Sequence, residues 1–483
     1  MNSSPSPRRR TRGLPGKSLL ALILVGATTF AAAAQNAPQP RRDQLLNGLR
    51  VLLLARPGDP NVLVRLRVHS GSAFDLAGRE GLMAALADAM FDKQTRDYVT
   101  EELGGRIEVA NDYDSINITL AGKATDLNRL LELARNAVVN VQLTPEAVER
   151  VRAARVKLLR DAPPTPAEEA DRAVAARLFG THPYGRAVEG TPDSVARIQR
   201  ADLMTMRERF LHPDNTTLVI VGGFDTKAVL RTLRESFGGW VKSDAAIPST
   251  FRRPEPPDER TLVINRPGSS EVELRLAVPA LARTDPDAAA AVVLSNIVGQ
   301  RWRAATSQFT RESSFVTLKT FRAGGILYMG AKLASAADAA RALEAARSIL
   351  RDLSANAPNA NETESAKRVV VAALEKSAAG DEGLANSWLD EETYNSAAVT
   401  DAASARAVAA ITPADVQRVA ARLFAHAMIA SVAVGDAAQL RTELARVGGV
   451  EVFGEAAAKP EAKTAPQTPQ TKPQQPALQL KRP

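Results

Sequence analysis

Histidine and cysteine are the side chains that most often ligate metals or supply nucleophiles near neutral pH. This chain of 483 residues holds four histidines and no cysteine. The missing thiols exclude disulfides, thiol catalysis and every cysteine-based zinc site. His69, His182, His212 and His426 never form a close pair, so no two can sit as ligands on one face of a single helix. His182-Pro-Tyr and His212-Pro read as turn segments, where an imidazole is more often structural than a ligand. A metal site built from these four would need distant residues to meet in space.

Charge is the other feature that could recruit a ligand. The formal net charge of +8 suggests an anionic partner. Its distribution removes that reading. Residues 1–34 carry five bases and no acid, and residues 454–483 carry five bases against two acids, which leaves residues 35–453 without net charge. Aromatic residues make up only 4% of the chain, so a nucleic-acid partner is not expected.

The elements that must position any site lie between two atypical ends. Arg8, Arg9, Arg10, Arg12 and Lys17 precede a short apolar run that ends in small residues at Ala31–Ala34. This pattern predicts a bacterial-type signal peptide over residues 1–34, an exported (periplasmic or secreted) protein and no stable membrane span after cleavage. Residues 454–483 hold six Pro and five Gln with few large apolar side chains, the composition of a disordered tail. Between the ends, Asn47-Gly48 is a turn signal followed by strands over Leu49–Ala55 and Val62–Ser70. Helical periodicity covers Gly81–Met90, Thr125–Asn140, Pro145–Arg160, Ala167–Leu178 and Ala201–Phe210, and Thr216–Val221 reads as a buried strand.

The second half repeats the first. Ile198–Leu203, Phe210 and Thr217–Gly222 have counterparts in Ile411–Val416, Phe424 and Ala430–Gly435, with Asp415 lying 213 residues after Asp202. Both aspartates fall at helix starts, where a carboxylate meets free N–H groups. Strands at Thr261–Asn265 and Glu271–Ala277 match those after Asn47-Gly48. The expected architecture is therefore α+β, with two tandem homologous domains over residues 35–242 and 261–453, joined by a Pro-rich linker at 243–260.

The ordered segments resemble the pitrilysin/insulinase family of zinc metallopeptidases, the inverzincins. They are Asn47–Val51, Ser70–Leu82, Leu103-Gly-Gly-Arg-Ile107, Phe179–Gly185, Gly190-Thr191-Pro192 and Phe237-Gly-Gly-Trp240. The resemblance implies that the two domains form half of a clam-shell. It also implies His-x-x-Glu-His on the helix after Gly81-Leu82: two zinc ligands four residues apart, a general base between them, and a third ligand on a later helix. This chain departs from that pattern. Ala84 and Asp88 stand at the histidine positions and Ala87 at the glutamate position, and Arg150–Arg160 contains no acid. One carboxylate cannot hold catalytic zinc, which uses three protein ligands. No catalytic residue, metal site or cofactor is therefore expected here.

Paired members of the family divide the work: one subunit holds zinc while the other contributes substrate contacts, including an Arg and a Tyr in its C-terminal domain. Arg311-Glu312 fits the start of that pattern, but Phe315 and Leu318 replace its Gly and Tyr; Arg322 and Tyr328 offer a second register. The family's edge strand, here opening at Gly104 and Gly105, pairs with extended peptide through main-chain groups. The expected function is a zinc-free, non-catalytic subunit that pairs with a zinc-motif insulinase-like partner and contacts peptide through Gly104, Gly105 and Arg311. The alternatives are a stand-alone peptide-binding scaffold and an active metallopeptidase with an atypical site around Asp88.

Overall fold

The computed structural model describes residues 38–243, 251, 254–312 and 314–454. The expected signal peptide, part of the linker and the tail beyond Gly454 lie outside these residues. No helix among the described residues is long and apolar enough to cross a membrane.

Twelve strands form two six-stranded mixed sheets. The N-terminal sheet has the order β1-β2-β6-β3-β5-β4, from β1 (Arg41–Gln44), β2 (Arg50–Ala55), β3 (Asn61–Val68), β4 (Arg106–Asn111), β5 (Ile116–Lys123) and β6 (Thr216–Gly222). The C-terminal sheet has the order β12-β7-β11-β8-β10-β9, from β7 (Thr261–Asn265), β8 (Val272–Ala280), β9 (Phe315–Phe321), β10 (Gly324–Leu333), β11 (Ala430–Gly435) and β12 (Val450–Val452). Five of the six positions, from β2 to β4 and from β7 to β9, correspond one to one. The first edge differs: β1 enters before β2 and runs antiparallel to it, whereas β12 arrives last and runs parallel to β7.

The N-terminal half carries α1 (Leu82–Asp88), α2 (Lys93–Asp97), α3 (Leu127–Val139), α4 (Pro145–Asp161), α5 (Pro166–Phe179), α6 (Pro192–Ala196), α7 (Arg200–Phe210) and α8 (Thr226–Phe237). The C-terminal half carries α9 (Ala288–Thr306), α10 (Ala336–Ala355), α11 (Ala360–Ser377), α12 (Gly380–Tyr394), α13 (Asp401–Ala410), α14 (Pro413–Phe424) and α15 (Ala437–Leu444). The duplication seen in the sequence reaches the caps. At α7 and α14, Asp202 and Asp415 stand at the third helical position and accept from the N-cap backbone of Gln199 and Thr412.

Each sheet buries one face under helices of its own half. The other face is covered by a helix from the opposite half. Ala170, Val174 and Leu178 of α5 pack on Ala277, Ile326, Ala430, Val432 and Val434 of the C-terminal sheet. Reciprocally, Ala385, Trp388 and Leu389 of α12 pack on Leu52, Leu63, Val219 and Val221 of the N-terminal sheet. This exchange explains why β6 and β11 are buried along their full lengths and read as continuous apolar runs rather than alternating ones.

Candidate functional site

The helix expected to bear the metal motif is α1, and its start is fixed by backbone geometry. Gly81 takes φ +88°, and a Cβ there would lie 2.7 Å from the Glu189 carbonyl oxygen. Gly190, φ +77°, faces Gly81 so closely that its own Cβ would lie 2.3 Å from the Glu80 carbonyl oxygen. Two segments more than 100 residues apart in sequence thus touch main chain to main chain, which only glycine permits. Asp75 caps the helix, accepting from the N–H groups of Gly81 and Met83, each at 2.8 Å. Burial outweighs these bonds and pushes the Asp75 carboxyl up to about 7.

Ala84 and Ala87 are 2% and 4% exposed, so the space of the lost ligands is packed rather than hollow. Asp88 is half-exposed and meets the buried guanidinium of Arg155, whose Nη1 lies 2.5 Å from Asp88 Oδ2. The same guanidinium pairs with Glu189 and donates from Nε to the Glu189 carbonyl at 3.2 Å. Arg155 comes from α4, inside the acid-free window where a third metal ligand is missing. A fixed monovalent cation with planar donors therefore pairs with both carboxylates. A divalent ion placed there would meet that positive charge with two carboxylates, one on α1 and one on a loop, short of a three-ligand set.

No group of three or more metal-ligating side chains that could hold an ion exists among the described residues. His182 Nδ1 accepts from the Tyr184 N–H at 3.2 Å, and the ring of His212 bonds main-chain oxygens of Val241 and Glu208. His426 is exposed just after α14. His69 is buried between two threonines of opposite halves.

The second candidate is the β4 edge. Among the described residues β4 pairs with β5 alone, leaving its other side open. Gly105 must be glycine, because a Cβ would lie 2.4 Å from the Ala121 carbonyl oxygen, and Gly104 turns the chain with φ +61°. The strand then alternates exposed Arg106, Glu108 and Ala110 with half-buried Ile107 and Val109. At its start lies a groove of about 950 Å³ formed with the end of β5 and the first turn of α12, lined in part by Gly104, Gly105, Lys123, Gly380 and Glu382. Arg106 pairs with Glu382 across it, so the edge strand of one half is tied to a helix of the other.

Arg311 does not join this edge. It is exposed, and its main chain pairs with Lys332 at the far end of β10. Phe315 folds over Gly330, where it also takes Arg275 on its ring face, and Leu318 turns into the C-terminal core. In the second register Arg322 is committed to the His69 and Thr393 carbonyls, while Tyr328 meets Lys319 and Phe315. An Arg–Tyr pair for a substrate carbonyl is thus not assembled in either register. Two contributors, Arg155 and α12, are not expected from the sequence. A base inside an acid-free window carries no sign of the carboxylates it will meet. The signal for α12 is the duplication itself, which places a counterpart of α5 213 residues further on.

The sequence and the overall fold both match known proteins. The family model described as insulinase (peptidase family M16) matches residues 50–192, and the model described as peptidase M16 inactive domain matches residues 197–370. Subunit 1 of the mitochondrial cytochrome b-c1 complex of Bos taurus is 24% identical over 237 residues, 48% of this chain and 49% of its own. An uncharacterised zinc protease of Mycobacterium tuberculosis is 30% identical over 209 residues, 41% of this chain and 47% of its own. The chain thus spans about half the length of the curated relatives it matches. The solved structure of a protease from Helicobacter pylori superposes with TM-score 0.74 at 17% identity, covering 82% of this chain and 100% of the other. With the two models of this family matching residues 50–192 and 197–370, the chain belongs to the insulinase family, peptidase family M16.

Proposed function

We propose that this chain is an exported, zinc-free subunit of a heteromeric insulinase-like metallopeptidase. It contributes half of a substrate chamber and an edge strand for extended peptide, while a partner chain of the same family carries the zinc. The observation that carries this reading is the Asp88–Arg155–Glu189 cluster. The fold around it is that of peptidase family M16, yet a guanidinium holds the one carboxylate at the motif positions. The open side of β4 supports retained peptide binding, because strand addition uses main-chain groups and survives loss of the metal. Among the relatives, the bovine protein is named as a subunit of a larger complex and the mycobacterial one as a zinc protease. Residues 1–34 support export to the periplasm or beyond.

The test is a peptide-cleavage assay on the purified protein alone and mixed with a co-purified family member bearing His-x-x-Glu-His, with zinc measured in each. Cleavage and zinc are expected only with the partner; metal-dependent cleavage by this chain alone would refute the proposal. A second reading, a stand-alone peptide-binding scaffold, draws on the fact that the β4 edge and its groove with α12 are complete within one chain. A pull-down separates the two: recovery of a zinc-motif homologue favours the first, and recovery of this chain only favours the second. The third reading, catalysis around Asp88, requires stoichiometric zinc that is lost in Asp88→Ala. The Arg155 ion pair argues against it.

A further inference from the structure

The two halves also meet across a buried polar seam that neither candidate site uses. His69 follows β3 and is 4% exposed. Its Nδ1 lies 3.0 Å from Thr393 Oγ1 of α12, and its Nε2 lies 2.9 Å from Thr217 Oγ1 of β6. The Thr393 hydroxyl spends its one proton on the Leu389 carbonyl at 2.6 Å and accepts from Arg67 Nη1 at 3.2 Å. It is therefore an acceptor toward His69 as well. The proton inventory assigns the hydrogen of the neutral ring to Nδ1 and leaves Nε2 to accept from Thr217.

The surroundings oppose a second proton. Burial, joined by the positive charges of Arg50 on β2, Arg67 on β3 and Arg322 in the β9–β10 hairpin, holds the ring's pKa well below the usual histidine value. The carboxylates on α12 are already engaged: Asp390 by Arg67 and Arg283, and Glu392 by Arg50 and Arg42. Asp114, in the β4–β5 turn, accepts from the Arg322 N–H and from the hydroxyls of Tyr184 and Tyr394.

We propose that His69 is an acid-sensitive catch for α12: a second proton would make the ring a buried cation between the halves, sharing Thr393 Oγ1 with the Arg67 guanidinium and lying beside Arg322, so acidification releases the helix. With α12 released, the ring regains solvent and an ordinary affinity for protons, near 6.5. The stabilising contribution of neutral His69 is full above that pH. It is lost as pH falls, with release favoured by up to about tenfold per pH unit. Release would uncover Leu52, Leu63, Val219 and Val221, and would expose Trp388. Burial raises Asp114, which works in the opposite sense, so a His69 variant is needed to isolate the catch.

The experiment is hydrogen exchange of α12 amides in the full chain from pH 7.5 to 5, corrected for intrinsic exchange rates. The wild type is expected to open up to about tenfold more per pH unit below pH 6.5. His69→Gln, which offers an uncharged donor and acceptor, is expected to show a flat profile. The same pH dependence in both proteins would overturn the proposal. If the variant does not fold, histidine NMR and Trp fluorescence of the wild type decide. A His69 ring that stays neutral until Trp388 reaches solvent supports the catch. A ring that titrates near pH 6.5 while Trp388 stays buried refutes it.

Discussion

At the scale of single residues, two buried charges organise the degenerate motif helix. Arg155 bridges Asp88 on α1 and Glu189 on the loop before α6, so removing it frees both carboxylates at once. Because both are about half-exposed and can rehydrate, Arg155→Ala is expected to cost about 2 kcal/mol rather than the full penalty of a stranded buried charge. Denaturant unfolding measures this. No stoichiometric zinc is expected in the same variant, because one acid on α1 and one on a loop do not make a three-ligand site. Asp75 carries a pH signature of the opposite sign to His69. Its pKa in the fold, about 7, exceeds the value near 4 in the unfolded chain, so its contribution to stability is fully present below pH 4 and is lost as pH rises through 7. Relative to wild type, Asp75→Asn should gain up to roughly 4 kcal/mol between pH 4 and pH 8, since a tenfold change in proton affinity corresponds to about 1.4 kcal/mol. Thermal unfolding across that range checks the slope, independently of the bond lost at the cap.

At the scale of elements, close backbone contacts and two exchanged helices, α5 and α12, set the geometry. Gly190→Ala would force a Cβ against the Glu80 carbonyl at a positive φ, and should destabilise by about 2–3 kcal/mol. Differential scanning calorimetry reads this as a lower Tm. The α12 contact is larger. Trp388 is 4% exposed and packs against the N-terminal sheet, so Trp388→Ala is expected to cost about 3–5 kcal/mol. Hydrogen exchange should place the loosened amides in β6 as well as α12, because the cavity lies between them. Much of this level is legible in the sequence. The strands and helices read from the sequence fall where expected, with β8 reaching three residues further, to Ala280. The fully buried β6 and β11 read as unbroken apolar runs. What covers those runs is not legible, since α12 carries five acids and only a narrow apolar stripe. Its partner surface is supplied by strands far away in sequence.

At the scale of the whole molecule, the two halves are mutually dependent. A fragment of residues 35–242 would lack α12, leaving Leu52, Leu63, Val219 and Val221 uncovered and β4 without the Arg106–Glu382 tie. Expressed alone, it is expected to aggregate or bind a hydrophobic dye, and co-expression with residues 243–454 should restore a 1:1 complex on size-exclusion chromatography. The same exchange places the β4 groove between halves, so peptide binding to that edge should require both.

The sequence by itself determined the duplication, the α+β elements and the absence of His-x-x-Glu-His from the helix after Gly81-Leu82. Each of these depends on residue type and local spacing: Ala84 and Ala87 carry no ligating atom, and Asp88 alone supplies one of the three protein ligands a catalytic zinc uses. Even the charge balance, neutral over residues 35–453, needed no coordinates. The tertiary structure alone decided what took the place of the missing ligands, which half covers which sheet, and where Arg311 points. Those outcomes rest on contacts between segments far apart in the chain: Arg155 with Asp88, Gly81 with Gly190, and His69 with Thr393. A guanidinium 67 residues from its carboxylate, or a threonine 324 residues from its histidine, carries no local signal of its partner. Only the folded chain brings their charges and protons into range.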